Sequence, residues 1–441
     1  MLTRERVFTI SKLAFPMGVA LSSALVMSLI DLAMVAPLGS HVTAAVGLAV
    51  FSQTLLLAFV SGLGPAVQGI VARRRGQGST EAKCLPLNAG LLMAVVVGAP
   101  ITIVGYAMAP TFFSWFSKDP AVIETGVAFL RVLYLSTVAA GMSNAFKGHW
   151  TGMERPNIHM VIVLFANFMN FAGNYVLITG RFGFPKLGAT GAALSTTLSL
   201  YIALVVHFVV TWFYYRRDGF LSVKPAKLLL TRVFQLGMPA TIQEFFKSAG
   251  YIALYWMIGQ IGTAELAATN VQVRMTFMLA ILSMALGNAS ATLVSKTVGE
   301  GDPEGAAAWG WDAGKLGVIV ISLLALPMVI FPRFFLSLFL SDPHTIQIAT
   351  LPWQLSMGVT GIASLIFIFA YTLVSVGDGN RVALVSLGTQ WLFFLPLAWF
   401  VGPYLHRGLL EISILQIIYG AIATVLITRL WIQGRWKRIA I

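Results

Sequence analysis

The sequence predicts an all-α polytopic membrane protein, and three observations carry that reading. Apolar blocks long enough to cross a bilayer recur along nearly the whole chain. Basic residues cluster between alternate blocks, and a set of proline, glycine and acidic positions recurs at one constant offset. Hydrophobic residues make up 58% of the 441 and charged residues 10%, against about 25% charge in an ordinary soluble domain. With a mean hydropathy of +0.84, most side chains are built to meet lipid or buried protein.

The blocks lie near 13–36, 44–71, 86–109, 121–146, 158–179, 188–214, 232–259, 266–293, 314–331, 344–374, 383–404 and 411–430. Most come close to or exceed the roughly 20 residues a helix needs to span the hydrocarbon core, which predicts twelve spans. The third holds Gly and Pro and the ninth is short, but neighbouring helices satisfy the backbone groups that such breaks release. The basic amino end, MLTRERVFTISK, precedes an apolar stretch too long for a signal peptide and without a convincing cleavage site, so it reads as a retained first span.

Orientation follows from the loops. Placing the amino terminus in the cytoplasm puts 21 of the 29 Lys and Arg residues inside, among them Arg73–Arg75, Arg216, Arg217, Arg435, Lys437 and Arg438. The outside loops keep five: Lys118, Arg181, Lys186, Arg333 and Arg407. This asymmetry also accounts for the net charge of +13 without nucleic acid as a partner. Trp431 and Trp436, beside the terminal bases, fit an interfacial anchor or simple packing. The lone Cys84 excludes a disulfide framework and a cysteine-rich metal site, and no His-Glu-x-x-His, Walker A or dinucleotide motif is present.

The chain repeats itself. Pro16 matches Pro239, Ala44–Ala45 match Ala267–Ala268, Gly76 and Gly78 match Gly299 and Gly301, and Glu81 matches Glu304, each pair 223 residues apart. Six spans per half is an even number, so both halves enter the membrane in the same sense, related by an axis along the membrane normal. The predicted division is 1–214, a six-helix bundle; 215–231, a cytoplasmic linker; and 232–441, a second bundle with its tail.

Polar groups inside spans mark the candidate sites. Asp31 falls in the outer half of the first span. A carboxylate near a helix centre costs about 3 kcal/mol even on the lenient insertion scale, so it should face a bundle interior or a wet cavity, unless it only caps the helix end. Asn167, Asn170 and Asn174 recur at separations of three and four, so their amides share one face, as a cavity lining or as a hydrogen-bonded seam. If protonated, Asp31 donates a hydrogen bond; if ionised, it holds a cation, with amide carbonyls completing the shell. In the second half, Glu244 and Lys247 lie one turn apart and Arg274 lies in the next span, a structural ion pair or a substrate contact. Arg73–Arg75 read as a topology anchor and tight turn ahead of a lipid-phosphate contact, Glu154 and Asp378 as turn residues ahead of gating ones, and His41 and His149 as isolated surface histidines.

The segments FPMGVALSSALVMSLIDLAMVAPLG, GPAVQGIVARRRGQGSTEA, NFMNFAGNYVLITGRFGFPKLGATGAALST, GMPATIQEFFKSAGYIALYWMIGQIGTAELAATNVQ and SATLVSKTVGEGDPEGA together resemble the multidrug and toxic compound extrusion (MATE) family over Lys12–Leu426. The resemblance implies twelve transmembrane helices in two parallel-repeat six-helix bundles forming a V-shaped central cleft. It also implies export of organic compounds in exchange for inward H+ or Na+, without enzymatic activity or a cofactor. Asp31 matches the family's first-helix coupling acid and Asn170 and Asn174 its fifth-helix polar pair, with Asp31 and Asn174 as ligands if Na+ is the coupling ion. Asn174 is often Asp in the family, so a copied proton relay loses one titratable group here. Lys247 stands where the sodium-coupled bacterial branch has an acid, and the matching tenth-span acid is also missing.

Substrate contacts are expected from Asn167, Glu244, Lys247 and Arg274. The expected partners are a small organic substrate and membrane lipid, with the chain acting as a monomer in a bacterial-type inner membrane and both termini in the cytoplasm. The alternative is a lipid or lipid-linked oligosaccharide flippase. A major-facilitator-like porter and a membrane scaffold without transport are further readings.

Overall fold

The computed structural model describes residues 2–78, 83–405 and 407–439, and over these the chain is helical with no β-strand. Glu81, one of the repeat positions, lies outside the described residues. In chain order the helices are α1 (Arg4–Val35), α2 (Ser40–Ser61), α3 (Leu63–Gly76), α4 (Leu85–Phe116), α5 (Pro120–Tyr134), α6 (Thr137–Gly152), α7 (Pro156–Leu177) and α8 (Gly188–Tyr215). There follow α9 (Lys227–Gly259), α10 (Thr263–Gly299), α11 (Pro303–Ile330), α12 (Pro332–Ser337), α13 (Pro343–Ser375), α14 (Gly379–Leu387), α15 (Leu395–Trp399) and α16 (Leu409–Gln433). The chain from Gly388 to Phe394 and from Phe400 to Tyr404 winds as π-helical turns around α15.

Among the described residues ten helical stretches are long and apolar enough to cross a membrane, and the bent pair α5–α6, taken as one span, makes an eleventh. The stretch that falls short of twelve is α9. Its 33 residues have the length, but Lys227, Arg232, Glu244 and Lys247 lower its apolarity. As expected, neither the Gly and Pro of the third block nor the shortness of the ninth removes a crossing: α4 runs continuously through Pro100 and Pro110, and α11 extends over 28 residues.

The contacts divide the chain into two compact units, Val19–Thr241 and Met1–Gly18 with Ile242–Ile441. Both changes of unit fall inside a helix, shortly after Pro16 in α1 and Pro239 in α9, whereas the sequence reading puts its linker at 215–231. The linker begins firmly held. Asn88 Nδ2 donates to Gly219 O at 2.9 Å and Val223 O at 3.0 Å, and its Oδ1 accepts from Leu221 N at 3.2 Å.

In the first unit, α5 and α6 meet at a bend of 41°. Where lipid replaces water, every carbonyl freed by such a bend needs a protein donor. Thr197 Oγ1 serves Val132 O at 3.0 Å, Ser136 Oγ serves Leu133 O at 2.6 Å, and Tyr201 OH serves Leu135 O at 2.8 Å. Gln53 from α2 then donates to Ser136 Oγ at 3.1 Å. The bend is a satisfied joint, and an apolar core around Phe113, Phe129, Leu133 and Ala193 packs around it. Close backbone approach needs small residues, and at Gly62 a Cβ would lie 2.0 Å from Gly237 O.

In the second unit, Trp353 Nε1 donates to Met328 O at 2.9 Å and Gln354 Nε2 to Val329 O at 3.0 Å, covering the carbonyls released where α11 ends at Pro327–Phe331. The amino-terminal turns of α1 are tied in by Arg6, whose Nη1 lies 2.6 Å from Asp312 Oδ2 and whose guanidinium lies over Trp309. Ile10, Leu13, Ala14 and Met17 bury against Ala285, Leu286 and Ile368. Asp119–Pro120 and Asp342–Pro343 extend the 223-residue repeat: each aspartate caps the helix that its proline opens.

Some surface assignments need correcting. Trp431 and Trp436 are stacked at 4.3 Å and buried, so they pack the tail instead of anchoring an interface. His41 is exposed as expected, but His149 is fully buried between Trp150 and Tyr215. A histidine carries no sign of burial in its own identity, and its aromatic neighbours come from α6 and α8 together.

Candidate functional site

The first unit builds a carboxylate–amide cluster from two parallel helix faces. On α1, Ser23, Met27 and Asp31 follow one another at four-residue steps; on α7, Asn167, Asn170 and Asn174 do so at three and four. The faces meet in register: Asn167 Nδ2 donates to Ser23 Oγ at 3.1 Å, and eight residues further along α1, Asn174 Nδ2 donates to Asp31 Oδ1 at 2.5 Å. The hydrogen-bonding surroundings of Asn170 turn its amide nitrogen to Asp31 Oδ1 at 2.9 Å and its oxygen to Thr196 Oγ1 of α8 at 3.1 Å. Ser195 Oγ donates to Asn170 O at 2.7 Å and fixes α8 against α7.

One atom of the cluster stands out. Asn174 is completely buried, and its side-chain oxygen has no hydrogen-bond partner. A buried acceptor without a donor is uncommon in native structures because it forfeits its hydration without compensation. Here it sits beside a carboxylate that is itself only partly buried. Of the four residues expected in this half, the structure therefore joins Asp31, Asn170 and Asn174, and seats Asn167 one step away on Ser23. Sequence reasoning missed Ser23 and Thr196. Ser23 was legible as the same helix face as Asp31, but Thr196 was not, since nothing in an isolated STT run says which helix it meets.

In the second unit, Lys247 Nζ and Glu244 Oε2 pair at 2.6 Å across one turn of α9, both side chains keeping about a third of their surface accessible. Gln390, from the π-helical turn, donates to Lys247 O at 3.4 Å, and Gly250 makes room for it: a Cβ there would lie 2.2 Å from the amide nitrogen. Arg274 on α10 is exposed and stands outside the ion pair.

Other polar groups have structural partners. Arg75 pairs with Glu154 at 3.1 Å and also donates to Met153 O, and Arg381 pairs with Asp378 at 3.0 Å. Burial, with Asp218 adding to it, pushes the Cys84 thiol up to about 12, so it stays an inert thiol. No group of three or more His, Cys, Asp or Glu side chains suited to a metal occurs among the described residues.

A multi-pass α-helical membrane protein, built from a duplicated chain and holding a carboxylate–amide cluster within its spans, is the class these features define. The MatE family model matches residues 16–176 and 239–400, the two matches starting at Pro16 and Pro239. Among curated relatives, the chain is 24% identical over 356 residues to "Probable multidrug resistance protein NorM" of Brucella suis, covering 79% of this chain and 75% of that one. It is 27% identical over 420 residues to a probable NorM of Bradyrhizobium diazoefficiens, covering 90% and 86%.

Two solved structures share its fold. One is described as an outward-facing multidrug resistance MATE family transporter of the MOP superfamily (TM-score 0.86, 19% identity, 98% of this chain and 96% of that one). The other is a MOP superfamily transporter from Pyrococcus furiosus, described as having a binding pocket of reverse polarity (TM-score 0.84, 19% identity, 97% and 94%). The chain belongs to the MATE family. It is accordingly a transporter and not an enzyme, of the type that moves organic compounds by secondary transport.

Proposed function

We propose that this protein exports organic compounds in exchange for inward H+ or Na+, with Asp31 as the group that takes up the ion and Asn170 and Asn174 as the groups that read its charge. The buried, unpartnered Asn174 Oδ1 beside Asp31 is the observation that carries this reading. Ionised Asp31 accepts N–H bonds from both amides. A proton on Asp31 turns an acceptor into a donor, and half a turn of the Asn174 amide presents the oxygen that now lacks a partner. A sodium ion asks for the same rearrangement, since it binds carboxylate and carbonyl oxygens and repels N–H groups.

Either load changes how α1 holds α7, which is how one small ion reaches a long helix. Exchange requires that the ion favour one access state or compete with cargo, because equal binding to both states shifts nothing. The proposal includes the family's arrangement of twelve spans, with α9 and the bent pair completing the set. In it, bundles 1–214 and 232–441, joined by 215–231, flank the V-shaped cleft, both termini lie in the cytoplasm of a bacterial-type inner membrane, and the chain works as a lipid-embedded monomer. The loop distribution of Lys and Arg supports that orientation. Asn167, Glu244, Lys247 and Arg274 are its substrate-contact residues.

The test is flux of a fluorescent organic cation in proteoliposomes under a pH gradient or a sodium gradient imposed separately. One gradient should drive flux in the native chain, and Asp31→Asn should reduce that flux at least tenfold. Gradient-driven flux unchanged by Asp31→Asn would remove the assignment.

A further inference from the structure

Where α11 ends, the second unit holds a cavity that the coupling cluster does not use. The six-residue α12 and a short link carry the chain from α11 into α13. Leu336 of α12 is completely buried in an apolar cluster with Met328, Ala349 and Trp353, which pins the small helix to its unit. Its other face is open. Arg333 and Ser337 lie one turn apart with Phe334 beside them, and on α13 Pro343 lies one turn before Ile346 and Gln347, so each set shares a helix face. These six side chains line one cavity of about 540 Å³.

The cavity is amphipathic. Arg333, Ser337 and Gln347 bring a guanidinium, a hydroxyl and an amide to it, and Phe334, Pro343 and Ile346 bring apolar surface. Among the described residues no carboxylate pairs with Arg333. Asp342 is the acid nearest to it in sequence, but that carboxylate accepts from Thr345 N at 2.9 Å and Thr345 Oγ1 at 2.6 Å and so caps its own helix. On either side of Arg333–Ser337 in the chain, Ile330, Phe331, Leu338 and Phe339 each keep more than half of their surface exposed. The chain then turns polar, with Ser341, Asp342 and His344 exposed. A guanidinium beside an apolar rim, at the end of a spanning helix, suits a membrane surface. A small water-soluble anion would answer the charge and leave the rim uncovered, whereas a lipid covers both.

We propose that this cavity is a binding site for an anionic phospholipid: its phosphate pairs with Arg333, Ser337 and Gln347 bond its headgroup hydroxyls, and an acyl chain runs along Phe334 and Ile346 onto the exposed rim. A guanidinium matches a phosphate by two parallel hydrogen bonds, and one net negative charge on the lipid cancels the one unpaired charge of the site. A choline headgroup brings a cation of its own and no hydroxyl. The proposal needs α11 and α13 to be membrane spans and no particular cargo or coupling ion. The bound lipid joins α12 to α13 close to where Trp353 and Gln354 cover the carbonyls of Met328 and Val329, which braces that end of the unit.

The test is native mass spectrometry of the full chain in detergent with equal amounts of dioleoyl phosphatidylglycerol and dioleoyl phosphatidylcholine, together with hydrogen exchange over 332–347. Glycerol phosphate, which has the anion and no acyl chain, is the third probe. The native chain should retain phosphatidylglycerol over phosphatidylcholine by about fivefold or more, the effect of one guanidinium at a membrane surface. That lipid should slow exchange over 332–347, and glycerol phosphate should not. Arg333→Gln should abolish the preference, and Arg333→Lys should keep part of it. Ser337→Trp, which fills the cavity from an exposed position, should melt like the native chain and lose both preference and protection. Arg181→Gln removes the same charge from the other unit and should change neither. Equal retention of the two lipids by the native chain, protection by glycerol phosphate as strong as that by the lipid, a preference that survives Arg333→Gln, or one that Arg181→Gln also abolishes overturns the proposal.

Discussion

Pro16–Asp31 and Pro239–Leu254 are equivalent stretches of a duplicated helix, and they carry their charge on different turns. The first puts its only carboxylate at Asp31, against two asparagines of α7. The second has Leu254 at that position, 2% exposed in an apolar core with Met257, Phe394 and Leu395, and places its ion pair earlier, at Glu244 and Lys247. The partner helices have diverged with them. Where α7 lines three asparagines along one face, the run from Gly388 to Tyr404 holds Gln390 as its one side-chain amide, holds no acid and winds as π-helical turns on either side of α15. Duplication preserved the scaffold, and each half acquired a different polar chemistry on it: a single acid held by amides of α7, and a charge pair on one turn of α9.

The strongest test of that division is Asp31→Asn, expected to bring gradient-driven flux down at least tenfold, while neutralising the second half's pair with Glu244→Gln and Lys247→Met together should leave the dependence on the gradient in place; loss of gradient dependence in the double variant would mean that coupling is not confined to the first half. Next is Leu254→Asp, which copies the acid into the second half without its amides. A carboxylate buried there lacks donors and should destabilise the protein by about 3 kcal/mol, read as a large fall in melting temperature. A variant as stable as the native chain would show that the second half can also host an acid.

Arg6→Ala sharpens the comparison differently. Arg6 belongs to α1 in sequence, but its partner Asp312, 5% exposed, belongs to the second unit. Removing the guanidinium leaves that carboxylate unpaired, at a cost of about 2 to 3 kcal/mol given that Arg6 is itself partly exposed. Hydrogen exchange should rise in α11 and not in α7.

The smallest effect separates the twin caps. Asp342 accepts from Thr345 N at 2.9 Å and Thr345 Oγ1 at 2.6 Å, whereas Asp119 accepts from Ala121 N alone at 2.9 Å. The Thr345 hydroxyl and amide hold the Asp342 carboxyl below its ordinary value. A carboxyl lowered in the folded state contributes stability that is present above its unfolded value and lost as pH falls through the folded one. Asp342→Asn should therefore lower the melting temperature by a degree or two at pH 7, more than Asp119→Asn does, and the gap should close toward pH 3. A gap that persists at pH 3 would assign the difference to packing.

How much of this was legible in the sequence depends on how local each signal is. The spans announced themselves through continuous apolarity, and the duplication through residues such as Pro16 and Pro239 that fix backbone geometry. Asp31 and the asparagine face were legible for the same reason, since helical periodicity is a short-range property. Thr196 and Gln390 were not, because each enters its cluster from a helix remote in sequence. His149 was misread because its burial depends on Tyr215, which reaches it from α8, as well as on Trp150 beside it. The hydrogen bonds that close the α5–α6 bend were hidden too, since polar residues such as Gln53 and Tyr201 look alike whether they serve a substrate or a carbonyl.

The crossing of α1 from one unit to the other sets the order in which the protein can be completed. Arg6 and Asp312 lie 306 residues apart. At roughly 5 to 20 residues per second, a ribosome takes about 15 to 60 seconds to supply the partner of a side chain it made at the outset. Through that interval Arg6 is without the carboxylate it pairs with in the finished fold, and Ile10, Leu13, Ala14 and Met17 wait for the apolar side chains of α10 and α13 that bury them.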